Sequence, residues 1–155
     1  MDVHADIRAL QDPGFARRGI GSHAAFLLGA ARGLRGGRVT VIGLADPTLP
    51  APAADVAGLC DVVQWSFAPR SGGDGVFLAL SPMTHDSRPV ARFHDRAGIL
   101  TCAVVYDFIP LHDPGRYLPA REAARAYAAR REGLAASAML LPISCAVGAA
   151  AVERL

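Results

Sequence analysis

The chain has 155 residues, of which 52% are hydrophobic and 19% are charged, and this composition excludes a disordered tail. Its 16 basic residues are all arginine, so a Schiff-base lysine and a P-loop lysine are both excluded. The net charge is only +2, and no basic block indicates nucleic-acid binding. A chain of this length forms about one domain and hides roughly 70% of its unfolded surface.

The sequence predicts strands and helices that alternate along the chain. The predicted strands are 3–8, 38–44, 61–65, 76–80, 99–105 and 138–143. The predicted helices are 23–34 (with Ser22 as N-cap and Gly36-Gly37 as its end), 53–59, 90–96, 119–137 and 144–155. The segments 11–21, 71–75 and 106–118 are predicted loops.

Apolar strands separated by helices predict an α/β domain with a parallel sheet wrapped by helices. In such sheets ligands bind at the carboxyl ends of the strands. The sequence leaves the order of the strands open.

An uncharged stretch at 134–152 has the length of a membrane span. Small residues and Pro142 interrupt it, so we expect a buried strand followed by a buried helix. Cys60, Cys102 and Cys145 form no CxxC pair, and each is expected to be a buried, reduced thiol in a cytoplasmic protein. The acidic N-terminus is not a signal peptide.

The first motif is a GxGxxA pattern, formed by Gly19, Gly21 and Ala24. Glycines at a helix start let backbone N–H groups approach a phosphate. A dinucleotide site with Asp46 as the ribose-binding acid is one interpretation, but about ten residues separate the pattern from the first strand. A phosphate or substrate loop of another kind is the favoured interpretation, and a plain connector is the third.

Tyr106 and Asp107 follow the strongest predicted strand, which places them at a carboxyl end. A carboxylate there can act as a base or orient a sugar hydroxyl, or it can simply cap backbone amides. His85 and Asp86 follow another apolar strand and are either substrate-binding or solvent-exposed loop residues. No HxH or HExxH spacing supports a metal site.

The longest predicted helix carries four arginines, namely Arg121, Arg125, Arg130 and Arg131. A basic helix can rest on anionic lipid, which would give peripheral contact with a membrane. Two glutamates and many alanines dilute its charge, so a solvated helix face is favoured.

Several segments together resemble the bacterial family-four (group 1) glycosyltransferases. Residues 6–12 and 17–21, with the helix behind them, are similar to the start of those enzymes. Residues 105–111 resemble their "YDLIPL" or "HDLIPL" segment, and Tyr127 with 138–144 resembles the strand that follows. The resemblance covers nearly the whole chain.

The resemblance implies a GT-B fold, in which two Rossmann-like domains enclose the active site. Residues 1–155 are similar to the N-terminal, acceptor-side domain only, and the C-terminal domain that holds most of the nucleotide sugar is absent. The whole enzyme would transfer a sugar, mannose being one candidate, from a nucleotide sugar to a glycan or lipid-linked acceptor. The isolated domain is expected to be inactive, to need no metal or other cofactor, and to lie in the cytoplasm or at the inner membrane face.

The resemblance also implies roles for individual residues. Asp107 is the preferred catalytic candidate, and Tyr106 is the second, at a position where many relatives have a histidine. The resemblance implies that Gly19, Gly21, Arg8, Asp12 and Arg18 bind substrate, and His85 and Asp86 join these candidates because they follow an apolar strand. Two alternatives remain, a dinucleotide-binding oxidoreductase domain and a non-catalytic interaction module with an apolar face near the C-terminus.

Overall fold

A computed structural model describes residues 1–33, 39–68 and 74–155. Its centre is a six-stranded, all-parallel sheet with the order β3-β2-β1-β4-β5-β6. The strands are β1 (Asp2–Asp6), β2 (Thr40–Leu44), β3 (Val62–Gln64), β4 (Gly75–Ala79), β5 (Ile99–Val105) and β6 (Met139–Pro142). The predicted α/β class with a parallel sheet is confirmed, and the strand order is that of a Rossmann-like fold.

Helices cover both faces of this sheet. They are α1 (Arg8–Gln11), α2 (Pro13–Ala16), α3 (Gly19–Gly33), α4 (Ala54–Ala57), α5 (Ala91–His94), α6 (Ile109–His112), α7 (Pro114–Tyr117), α8 (Arg121–Ala135) and α9 (Cys145–Arg154). Ser144 is the N-cap of α9, and its hydroxyl accepts a hydrogen bond from the Val147 amide.

Two apolar clusters hold the layers together. On one face, Ala24 and Leu28 of α3 pack against Ile7 and Val41. On the other face, Phe93 of α5 stacks on Phe77 with ring centroids 4.3 Å apart. Along β2, Val41 enters the first cluster and Ile42 enters the second, because successive side chains of a strand point to opposite faces of the sheet.

Two predicted loops contain short helices. The segment 11–21 holds α2 and the start of α3, so Ser22 lies inside a helix and its predicted N-cap role is wrong. The Asp12 side chain caps α2 instead, by accepting a hydrogen bond from the Gly14 amide. The segment 106–118 holds α6 and α7. The predicted helix end at Gly36-Gly37, the strand start at Arg38 and most of the 71–75 turn lie outside the described residues.

The expectation of a buried strand and a buried helix at 134–152 is wrong in burial, because β6 and α9 are largely exposed. Met139, Leu141 and Ile143 of the β6 segment are exposed, and Val152 of α9 is 88% exposed. Cys145 is exposed too, so its predicted burial is wrong, whereas Cys60 and Cys102 are buried as expected. No helix within the described part of the chain is long and apolar enough to cross a membrane.

Candidate functional site

The sheet grows in opposite directions from its two central strands. β1 leads to β2 and β3 on one side, and β4 leads to β5 and β6 on the other. A crevice opens outside the carboxyl ends of the strands where the order reverses, and this is where open α/β sheets bind ligands. The segments that follow β1, β4 and β5 therefore form the candidate site.

An ion pair lies beneath this crevice. The Arg8 guanidinium donates to both carboxylate oxygens of Asp6, with an Nη2–Oδ2 distance of 2.7 Å, and both side chains are buried. The guanidinium also lies over the Phe67 ring at 4.6 Å, and its Nη1 donates to the Asp86 carbonyl at 2.8 Å. Arg8 therefore connects the end of β1 to the segment after β4 through buried contacts under the crevice.

A second connection crosses the crevice at its surface. The Nε2 atom of His85 lies 3.3 Å from Oδ2 of Asp12, and its Nδ1 lies 2.8 Å from the Thr84 hydroxyl. That hydroxyl donates to the Ser81 carbonyl at the end of β4. Both nitrogens of His85 are thus engaged, and the imidazole links the α1–α2 junction to the segment after β4.

The environment of His85 favours its neutral form. Burial lowers the pKa of His85 below its usual value, and the Arg8 guanidinium lowers it further. The carboxylates of Asp6 and Asp12 oppose this shift without cancelling it. The Asp12 carboxylate is an acceptor, and the Thr84 hydroxyl gives its proton to the Ser81 carbonyl, so a neutral imidazole can donate to only one of its two partners at a time.

The glycine pattern at the start of α3 has two different environments. Gly19 is exposed, and a Cβ atom there would meet nothing within 4 Å. Gly21 is buried, and a Cβ atom there would collide with the Ala16 carbonyl and lie 2.6 Å from the Phe15 oxygen. Gly21 therefore lets α3 pack on α2, while Gly19 and the exposed Arg18 face solvent.

Tyr106 joins three elements at the carboxyl end of β5. Its hydroxyl lies 3.1 Å from the Leu80 carbonyl and 3.1 Å from Nδ1 of His23 on α3. The two aromatic rings meet edge to face with centroids 5.5 Å apart. Burial raises the pKa of Tyr106 to about 12, so the phenol stays protonated. The contact between Tyr106 and His23 could not be predicted, because the two residues are far apart along the chain.

Asp107 is the exposed neighbour of Tyr106. Its Oδ1 atom accepts a hydrogen bond from the Ile109 amide at 3.1 Å, which is the amide-capping role weighed from the sequence. This is the one hydrogen bond of its side chain within the described residues, so Oδ2 is free to accept another. Capping and ligand contact are therefore compatible at this carboxylate.

A cleft of about 680 Å³ opens beside Tyr106 and Asp107. Arg18 at the start of α3 and Arg130 of α8 stand on its walls. The Arg130 Nε atom donates to the His85 carbonyl, which fixes α8 to the segment after β4. Of the residues predicted to bind substrate, Arg18 lines this cleft, whereas His85 and Asp12 brace the segments beside it.

Three lining residues were not singled out from the sequence as binding residues. Ser81 lies two residues beyond the end of β4, and Tyr127 and Arg130 are three positions apart on α8. The arginines of that helix were predicted to be solvated, yet Arg130 makes hydrogen bonds inside the fold. The spacing of Arg130 from Tyr127 could have predicted its place, because residues three apart lie on the same face of a helix.

Asp46, the residue of the dinucleotide alternative, lies just beyond the end of β2. Its Oδ1 accepts hydrogen bonds from the amide and hydroxyl of Thr48, and the hydroxyl bond is the main cause of the lowered pKa of Asp46. The Gln11 side chain donates to the Asp46 carbonyl and accepts a hydrogen bond from the Asp46 amide. α1 and α2 separate β1 from α3, so the tight turn of a dinucleotide fingerprint is not formed.

Asp86, the last predicted substrate-binding residue, is exposed and pairs with Arg88 at 2.7 Å. Within the ranges that the structure describes, no group of three His, Cys, Asp or Glu side chains is arranged to hold a metal ion.

Comparisons with protein-family models, with curated proteins and with solved structures gave no match to this chain. The likeness to family-four glycosyltransferases therefore rests on the residues of the chain itself.

Proposed function

We propose that this chain is the acceptor-side domain of a GT-B glycosyltransferase. The observation that carries the proposal is the cleft of about 680 Å³ at the carboxyl ends of β4 and β5, with Asp107 at its edge and Arg18 at the start of α3. The Rossmann-like strand order supports it, because each half of a GT-B enzyme has such a sheet. Function on this fold has to be argued from the site, since the fold serves many activities.

The proposed chemistry is transfer of a sugar to a hydroxyl of the acceptor. Asp107 is the catalytic candidate: its free Oδ2 accepts the hydrogen bond of the acceptor hydroxyl and orients it for attack. Tyr106 is engaged with Leu80 and His23, so its part is to hold the end of β5 against α3. A second domain would bind most of the nucleotide sugar, and the enzyme would work in the cytoplasm or at the inner membrane face.

A second candidate is an NAD(P)-binding domain of an oxidoreductase. The strand order and the position of Asp46 after β2 favour it. The two short helices between β1 and α3, and the packing of Gly21 on α2, weigh against it.

Ligand-observed NMR of the chain separates the two candidates. The panel contains UDP-sugars, GDP-mannose, short oligosaccharides, NAD(H) and NADP(H). We expect weak binding of saccharides or sugar nucleotides that Asp107→Asn reduces, while the exposed control Asp113→Asn leaves it unchanged. Firm binding of NAD(P) alone would overturn the proposal in favour of the oxidoreductase, and absence of all saccharide binding would count against an acceptor site.

A further inference from the structure

Trp65 is a large aromatic side chain that the fold leaves exposed. It follows β3 directly, at the carboxyl end of that strand, and it is 47% exposed. It lines a groove of about 570 Å³ together with Pro47, which follows β2, and Pro89 in the segment after β4. Among the described residues, this groove shares no lining residue with the cleft beside Asp107. Its volume lies within the range of small-molecule sites.

Hydrogen bonds and packing hold the segment around Trp65 in place. The Nε2 atom of Gln64 donates to two carbonyl groups within residues 66–68, at 2.9 Å and 2.7 Å. Phe67 is 8% exposed, and the Arg8 guanidinium lies over its ring. The indole therefore stands on an anchored segment, so a ligand that stacks on it loses little free energy in ordering the protein.

The buried Arg8 guanidinium connects the two sides of this groove. It lies 4.6 Å from the centre of the Phe67 ring on one side, and it donates to the Asp86 carbonyl at 2.8 Å on the other. Side-chain hydrogen bonds to their neighbours are the main cause of the lowered pKa of Asp46 and Asp86, and the Arg8 charge contributes to both. Two ionised carboxylates therefore lie near Arg8 at the rim of the groove.

The charges around the groove balance one another. Its described lining contains two carboxylates, Asp46 and Asp86, and two guanidinium groups, Arg88 and Arg92. Such a lining selects neither an anion nor a cation. The carboxylates accept hydrogen bonds and the guanidinium groups donate them, which suits hydroxyl groups, because a hydroxyl does both. Asp86 and Arg88 lie side by side at 2.7 Å, so they present an acceptor and a donor to two neighbouring hydroxyls.

We propose that the groove beside Trp65 is a saccharide-binding subsite. A pyranose ring carries C–H bonds on its faces and hydroxyl groups around its edge. One face stacks on the indole, while the hydroxyls reach the charged side chains at the rim. This stacking does not depend on the chemistry at Asp107. In one respect the inference rests on the proposed function: on a transferase, the subsite holds a sugar unit of the acceptor other than the one that reacts.

NMR of the ¹⁵N-labelled chain tests this subsite, because Trp65 is the only tryptophan of the chain and its indole N–H gives a single signal. The probes are methyl α-mannoside, methyl β-glucoside and methyl β-galactoside, with adenosine and inorganic phosphate as ligands of other classes. We expect a saturable shift of the indole signal with at least one glycoside, and none with adenosine or phosphate in the same concentration range. No shift with any glycoside would overturn the inference.

Two substitutions locate the binding. Trp65→Ala removes the stacking surface from an exposed position, so the affinity for the glycoside, followed by ligand-observed NMR, should fall at least about fivefold. Its control is Phe26→Ala, which removes another exposed aromatic side chain, on α3 and outside the groove.

Arg92→Gln keeps the indole signal as a reporter and should weaken the glycoside several-fold, because a hydrogen-bond donor at the rim is lost. Arg17→Gln is the matched control, since Arg17 is an exposed arginine outside the groove. Glycoside binding that neither Trp65→Ala nor Arg92→Gln changes would contradict the subsite.

The outcomes also separate this inference from the proposed function. Glycoside binding that shifts the Trp65 indole signal and that Asp107→Asn leaves unchanged confirms the subsite and gives the transferase proposal no support. Saccharide binding that depends on Asp107 and leaves the indole signal unmoved contradicts the subsite and keeps the transferase proposal. A shift with adenosine or phosphate and with no glycoside would assign the groove to a nucleotide instead.

Discussion

The chain contains the same short motif, Asp-x-Arg, in two very different settings. In both Asp6–Arg8 and Asp86–Arg88, the carboxylate accepts from the backbone amide and from the guanidinium of the arginine two positions on. The ion-pair distance is 2.7 Å in each case. The first pair is buried, with side chains 4% and 2% exposed, whereas Arg88 is 90% exposed and Asp86 is 46% exposed.

The buried Arg8 and the exposed Arg88 differ in how many neighbouring groups have a pKa that their charge changes. The Arg8 guanidinium contributes to the lowered pKa of three residues beyond its own partner, Asp46, His85 and Asp86. Arg88 lowers the pKa of its own partner Asp86, mainly through their side-chain hydrogen bond. Two ion pairs of similar local geometry therefore differ in role, because one is buried in the fold and the other is solvated at the surface.

The largest effect is expected from removing the buried arginine. Arg8→Met leaves the Asp6 carboxylate buried without its partner, and such a loss costs about 3–5 kcal/mol of unfolding free energy. Urea denaturation followed by circular dichroism measures it. A variant as stable as the parent would show that the buried pair does not hold the fold.

Replacing both buried partners sharpens the comparison. The double variant Asp6→Leu/Arg8→Met removes the uncompensated carboxylate as well, so it should be more stable than Arg8→Met alone. The same urea titration gives the difference. If the double variant is the less stable of the two, the cost of the single change does not come from the unpaired charge.

An intermediate effect is expected from His85, which lies beside the buried pair. Its native pKa is below 6.5, so in that window the unfolded chain binds more protons than the folded chain. Stability should therefore fall as the pH drops through 6.5, and the loss from this group should stop below the native pKa. Unfolding free energies measured above and below this pH window, in the parent and in His85→Gln, give the part of the pH-dependent loss of stability that comes from His85.

His85→Gln should flatten this part of the pH profile, because the titrating group is gone. His112→Gln is the matched control, since His112 is exposed on α6 and its loss should leave the profile as it was. An unchanged slope in His85→Gln would mean that other groups cause the loss of stability.

The smallest effect is expected at the exposed pair. Arg88→Met removes the partner of a carboxylate that water can solvate, so the melting temperature should stay close to that of the parent. Differential scanning fluorimetry of Arg88→Met beside Arg8→Met makes the comparison direct. A large drop for Arg88→Met would remove the distinction between the two motifs.

The sequence predicted the parts of the fold that rest on strong local patterns. β5 has the predicted bounds, and α8 lies within the predicted helix, because a β-branched run and a long alanine-rich segment need little help from their surroundings. The short helices α1, α2, α6 and α7 were missed. Helices of four residues are not stable by themselves, and their contacts with the rest of the fold decide them.

The site was predictable in position more than in detail. The carboxyl ends of β4 and β5 were identified from two apolar strands followed by polar residues. The buried partnership of Asp6 and Arg8 was not, because burial depends on strand order, which the sequence left open. Arg130 was missed for the same reason, since only the packed structure brings α8 to the segment after β4.

The cleft at the carboxyl ends of β4 and β5 is the proposed functional site. A titration of the ¹⁵N-labelled chain with sugar nucleotides and oligosaccharides, followed by amide chemical shifts, tests it most directly. The largest shifts should cluster at Ile20, Thr84 and Asp107, which line the cleft. Shifts confined to β6 and α9, or none at any amide, would contradict it.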